Sequence, residues 1–110
     1  GYNPSMSAPD PAPPSSDSQT PWWVYMLRCV DGSLYTGATI DVNARIAAHL
    51  RGKGARYTRT NAPTALAFCA WMPSKSAALS AEAHIKRWPT AEKRALANAF
   101  AAQALVDERE

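Results

Sequence analysis

The chain has 110 residues, with twelve Lys or Arg, nine Asp or Glu and a formal net charge of +3, which is material for one domain. No stretch approaches the roughly 20 apolar residues of a membrane span, and no basic start with an apolar run of about 7 to 15 residues marks a secretory signal. The reading is a cytoplasmic protein with no membrane partner and no small-molecule cofactor; oligomeric state is not legible.

Six of the nine prolines fall in residues 1–21, together with several Ser, Asp10 and Asp17, and no Lys or Arg. A segment so poor in apolar side chains does not offset the entropy of ordering, so 1–21 reads as a disordered leader. Residues 1–5, ahead of Met6, read as a processing scar with Met6 as the natural start. The domain is then 22–104, followed by an acidic tail over 105–110. Residues 22–98 hold eleven Lys or Arg against four Asp or Glu, a net +7, and a surface so biased suits a polyanionic partner.

Residues 22–30 are aromatic, β-branched or otherwise apolar, Asp31-Gly32 is a turn signal, and 33–38 resumes the strand pattern. The hairpin places Tyr25 and Tyr35 on one rigid element. A two-residue loop would put them on opposite faces, because strand side chains alternate with period two. A three-residue loop over 31–33, pairing Val30 with Leu34, puts both on one face.

Asp41 is an N-cap for a helix whose Val42, Ile46 and Leu50 recur one turn apart, with Gly52 as the stop. Arg45 and His49, spaced i,i+4, form a second row beside that stripe. Residues 51–61 read as a glycine-punctuated basic loop suited to a phosphate backbone. In it Lys53, Arg56 and Arg59 supply charge, and Tyr57 offers either a stacking face or a lid. Residues 66–71 read as a third strand stopped by Pro73. Ser74 or Ser76 caps a helix running to about Arg87, with Leu79, Ala83 and Lys86 along one face. Thr90 caps a last helix to about Ala104, with Leu96, Ala97, Phe100 and Ala101 inward. Cys29 and Cys69 lack metal-ligand spacing and read as buried free thiols. Trp22, Trp71 and Trp88 read as packing or surface anchors.

Phosphodiester cleavage needs a base for water, positive charge on the phosphoryl oxygens and help for the departing oxygen. Each part is available once. Glu82 offers a carboxylate for a divalent cation, although it also stands i,i+4 from Lys86 as an ordinary helical ion pair. Arg45 offers a bidentate phosphate contact. A tyrosine serves as base only if neighbouring cations lower its pKa, and the dense positive charge has the sign to do so.

The ordered set Val24-Tyr25-Met26, Tyr35-Thr36-Gly37, Arg45, His49 and Glu82 resembles the GIY-YIG nuclease superfamily. With Tyr25-Met26-Leu27-Arg28-Cys29, 31–37 and 52–57, it is most similar to the small stand-alone bacterial UPF0213 or YhbQ-like branch. The resemblance implies an α+β fold in β-β-α-β-α-α order, a three-stranded antiparallel sheet flanked by helices. The implied activity is DNA strand cleavage dependent on one Mg²⁺ or Mn²⁺, leaving a 5′-phosphate and a 3′-hydroxyl. The implied catalytic residues are Tyr25, Tyr35, Arg45, His49 and Glu82, with Glu82 as metal ligand. Arg28, Lys53, Arg56, Tyr57, Arg59 and Lys86 are expected to bind nucleic acid. Ala38 stands where some relatives carry a Lys or His beside the base. Gly37 is present for backbone approach to substrate or to admit the following helix. A compact core with little surface for long duplex favours single-stranded or other non-duplex DNA, with branched repair intermediates or silent nucleic-acid binding as alternatives.

Overall fold

The computed structural model describes residues 20–109 of the chain and side chains to 106. Residues 1–19, which hold nearly all of the expected leader and the processing scar, and Glu110 of the tail lie outside the described residues. Three strands, β1 (Trp22–Cys29), β2 (Leu34–Thr39) and β3 (Pro63–Met72), form an antiparallel sheet in the order β2-β1-β3. The helices are α1 (Val42–Leu50), α2 (Arg56–Thr60), α3 (Lys75–Lys86) and α4 (Thr90–Arg109). The fold is α+β, as expected, with one added helix.

The β1–β2 turn has the odd length that the tyrosines require, in a register two residues from the expected one. Cys29 N–H donates to Ser33 O at 2.9 Å and Gly32 N–H to Cys29 O at 2.8 Å, so the loop is 30–32 rather than 31–33. Asp31 Oδ1 accepts from Ser33 N–H at 2.9 Å, and Gly32 takes the positive φ of 86°. This local Asx bond claims Val30 for the turn despite its β-branched side chain. A shift of two preserves the alternation, and the ladder pairs Tyr25 with Gly37 and Leu27 with Tyr35.

One sheet face carries the apolar core. Val24, Met26, Ala67, Ile85 and Ala97 are buried there, joined by Leu34, Phe68, Ala70, Met72, Ala81 and Leu96. Burying side chains such as Val24, Met26 and Ile85 contributes about 1.5 to 3 kcal/mol apiece. The inward face of α3 is Ala78, Ala81 and Ile85, not the expected Leu79, Ala83 and Lys86; Leu79 is exposed. Small alanines let the helix lie close to the sheet, which outweighs the larger burial Leu79 would have offered. Ser74 Oγ accepts from Ala77 N–H at 3.0 Å as the α3 cap. In α4, Leu96, Ala97 and Phe100 turn inward as expected, with Phe100 edge-on to Phe68. Ala101 is exposed and the helix continues past 104 into the expected tail.

The other face carries Tyr25, Leu27 and Tyr35 and is approached by α1 and α2. Asp41 caps α1 through its bond from Ala44 N–H, as expected, but Leu50 lies outside while His49 is 1% exposed. What α1 meets is a polar ring cluster, so the buried position goes to the side chain whose two nitrogens both find partners there. Within the expected loop 51–61, residues Arg56–Thr60 form α2. Both cysteines are free, Cys29 buried and Cys69 only partly so. Among the described residues no helix is long and apolar enough to cross a membrane.

Candidate active site

Three rings meet on the α1 side of the sheet. Tyr25 and Tyr35 stand with centroids 6.5 Å apart, and the His49 ring lies 6.2 Å from the first and 5.4 Å from the second, edge-on to both. The odd hairpin loop and the position of His49 one turn beyond Arg45 make this possible. Tyr25 reaches its seat because its cross-strand partner is Gly37. A Cβ there would collide with the phenol oxygen and with Cζ at 2.5 Å. Gly37 is therefore explained by Tyr25, rather than by substrate approach or by the following helix.

His49 is held from both sides. Its Nε2 lies 3.1 Å from the Tyr25 hydroxyl and its Nδ1 lies 2.6 Å from Thr58 Oγ1, while Thr58 Oγ1 donates to Ala55 O at 3.0 Å. That last bond assigns the whole chain. Thr58 spends its only proton on the carbonyl, so it accepts from His49 Nδ1–H, and Nε2 is left as the acceptor for the Tyr25 O–H. Gly54 passes directly over the ring, where a Cβ would overlap Nδ1. Burial, then Arg45, pushes the His49 pKa below 6.5, so the imidazole is neutral at pH 7.

Tyr25 departs from expectation in sign. Burial pushes its pKa above 10, and this outweighs the Arg45 guanidinium, which favours the phenolate. Nearby Tyr35 and Glu82 add to the rise. The positive charge of the domain does not ionise this phenol. In a residue only 1% exposed, the phenol loses more by desolvation than one neighbouring cation returns.

Glu82 on α3 pairs with Lys86, Oε2 to Nζ at 2.9 Å, and Lys86 Nζ sits 5.8 Å from the Tyr35 ring centroid. The helical ion pair is thus present beside the tyrosines. No group of three or more His, Cys, Asp or Glu is assembled among the described residues. A lone, partly exposed carboxylate suits a cation that retains most of its waters, as Mg²⁺ does, and does not form a closed cage.

Tyr57 stacks on Tyr35 at 6.1 Å with the planes 14° apart, and its hydroxyl accepts from Asn61 Nδ2 at 2.9 Å and meets Ser33 Oγ. The turn thereby fixes Tyr57 as a cover over Tyr35. Lys53, Arg56 and Arg59 are exposed around α2, and Arg28 alternates to the sheet face opposite Tyr25. Thr58 escaped the sequence reading, since a threonine inside a basic stretch carries no signal of its own; Gly54, read there as part of a glycine-punctuated loop suited to a phosphate backbone, gives its Cβ space to the His49 ring.

Residues 21–95 match the family model for the GIY-YIG catalytic domain. A UPF0213 protein of Nitratidesulfovibrio vulgaris is 42% identical over 93 residues, covering 84% of each chain. A UPF0213 protein of Streptococcus sanguinis is 54% identical over 65 residues, covering 59% of this chain and 75% of its own. The solution NMR structure of a UPF0213 protein from Bacillus halodurans aligns at 42% identity and a TM-score of 0.47, covering 71% of this chain and 83% of that one. By that match and these identities this chain belongs to the GIY-YIG family, a nuclease superfamily, among the UPF0213 proteins.

Proposed function

We propose that the protein is a metal-dependent endonuclease that hydrolyses phosphodiester bonds in DNA, acting on single-stranded or other non-duplex substrate. The observation that supports this most directly is the bond from the Tyr25 hydroxyl to a neutral His49 Nε2, with Arg45 beside it. A phenol that burial keeps protonated works as a base when its own proton has somewhere to go. In this reading the attacking water gives a proton to Tyr25 Oη as Tyr25 gives its proton to His49 Nε2. The water oxygen bonds to phosphorus, and the P–O3′ bond breaks with its electron pair on O3′, which takes a proton from solvent. Arg45 stabilises the charge that grows on the phosphoryl oxygens, and Tyr35 positions the phosphate or the water. Glu82 would hold Mg²⁺ or Mn²⁺, and the cation would supply further positive charge against the charge developing on the phosphoryl group.

The non-duplex preference is supported by the small extent of the domain and by Tyr57, 44% exposed at the edge of the site, where a flexible strand has a ring to lie against. The test is cleavage of single-stranded, duplex, forked and RNA oligonucleotides with Mg²⁺ or Mn²⁺, with Glu82→Ala as control. Cutting of the single strand first, abolished in Glu82→Ala, is the expected outcome. Metal-dependent cutting by Glu82→Ala refutes the metal assignment, and binding with no cutting by the unaltered protein refutes the enzyme.

A further inference from the structure

Beside edge strand β2, between the hairpin turn and the α3–α4 corner, lies an open cleft of about 430 Å³, within the roughly 300 to 1,000 Å³ of ordinary ligand sites. Its walls carry three cations, Lys86, Lys93 and Arg94. The only carboxylate among its lining residues, Asp31, is committed to its own turn through the bond from Ser33 N–H. Tyr35 belongs both to this cleft and to the ring cluster, so the cleft continues from the proposed catalytic centre.

A second, independent observation concerns Thr36, which lines the same cleft. Thr36 is 2% exposed, yet its Oγ1 has no hydrogen-bond partner among the described residues. A buried hydroxyl without a partner costs stability, and valine would fill the same volume without that cost. A position that retains the hydroxyl fits one whose partner arrives with a ligand.

We propose that this cleft is a phosphate subsite, in which Thr36 Oγ1, Lys93 and Arg94 hold the phosphodiester adjacent to the one being cut. The inference rests on the nucleic-acid reading of the site and deepens it by giving the strand a path: from the Tyr25 side, past Tyr35, to the foot of α4. Lys93 and Arg94 play no part in the chemistry proposed above.

The test is the affinity of the full chain for a short labelled single strand, read by fluorescence anisotropy without divalent cation, across a salt series. Lys93→Ala/Arg94→Ala is expected to weaken binding about tenfold and to flatten the log–log salt slope by about 0.7 for the lost phosphate contact. Lys75→Ala/Arg87→Ala removes the same charge from the first residue and the C-cap of α3, neither of which lines the cleft, and is expected to change binding little. Equal weakening by the two pairs, or none by the first, overturns the subsite. So does a cleft that binds inorganic phosphate while strand affinity ignores Lys93 and Arg94. Thr36→Val is expected to raise the melting temperature while lowering affinity severalfold; a higher melting temperature with unchanged affinity removes Thr36 from the site. Binding through the cleft without cleavage refutes the nuclease alone, and cleavage with binding indifferent to Lys93 and Arg94 refutes the subsite alone.

Discussion

Gly37 lies directly across the ladder from Tyr25, and the space a side chain would need there is filled by the end of the phenol. The nearest atom to a Cβ would be Oη, followed by Cζ. Gly37→Ala should therefore destabilise by about 1 to 3 kcal/mol, the range for forcing atoms into a packed interior. Tyr25→Phe in the same chain should recover part of that loss, because it removes the first atom met. Urea unfolding of both single variants and the double variant measures the coupling, and strictly additive effects would show that Gly37 serves something other than Tyr25.

Thr58 makes a sharper pair of substitutions. Thr58→Val keeps the shape and leaves His49 Nδ1–H buried without an acceptor, an expected loss of about 1 to 3 kcal/mol. Thr58→Ser retains the hydroxyl and should stay close to the unaltered protein. Nitrogen NMR of the imidazole gives a readout independent of stability: Nδ1–H in the native chain and in Thr58→Ser, and loss of that fixed tautomer in Thr58→Val. An Nε2–H tautomer in the native chain would reverse the direction of the hydrogen-bond chain.

The depressed pKa of His49 sets a pH window for stability. The folded imidazole takes up its proton only below the 6.5 of the free group, so the unfolded chain is protonated first as the pH falls. The sign follows: the contribution is intact above pH 6.5 and is lost as the pH drops from there through the folded value. Melting temperatures between pH 8 and pH 5 should fall on the acid side, and His49→Gln should flatten that fall. Asp31 acts in a separate window. Its carboxyl is held at about 2, chiefly by its hydrogen bonds to Ser33 and Asn61, so its effect begins only as the pH drops below 3.8.

Glu82, 19% exposed, and Lys86, 48% exposed, form an i,i+4 pair, and such helical pairs contribute only about 0.3 to 0.5 kcal/mol. Glu82→Gln should thus barely shift the melting temperature while removing metal-dependent cleavage. A large fall in stability, with activity lost in proportion, would make Glu82 a structural residue instead.

How far the sequence reached depended on what each residue's environment was made of. The shared face of Tyr25 and Tyr35 follows from period-two alternation and survived a misplaced turn, since an error of two residues leaves parity unchanged. Arg45 and His49 are set by helical spacing from the Asp41 cap. By contrast, the alanine-rich α3 offers two faces of nearly equal quality, Leu79 and Ala83 against Ala78, Ala81 and Ile85, and only the sheet beneath selects one. Helix α2 runs Arg-Tyr-Thr-Arg-Thr with no side-chain cap, and its local signal is that of a loop. The protonation of Tyr25 turned on burial, which is a property of the assembled site and not of its neighbours in sequence.

The division of the sheet into an apolar face and a polar ring face gives the domain two interiors of unlike strength. One is oil-like and secures α3 and α4; the other is a small aromatic and hydrogen-bonded interior by which His49 and Thr58 tether α1 and α2. Amides of α1 and α2 should exchange with solvent well before those of β1 and α3. The segment that opens first is then the one roofing the tyrosines, and its opening leaves undisturbed the part of the fold that keeps the protein folded.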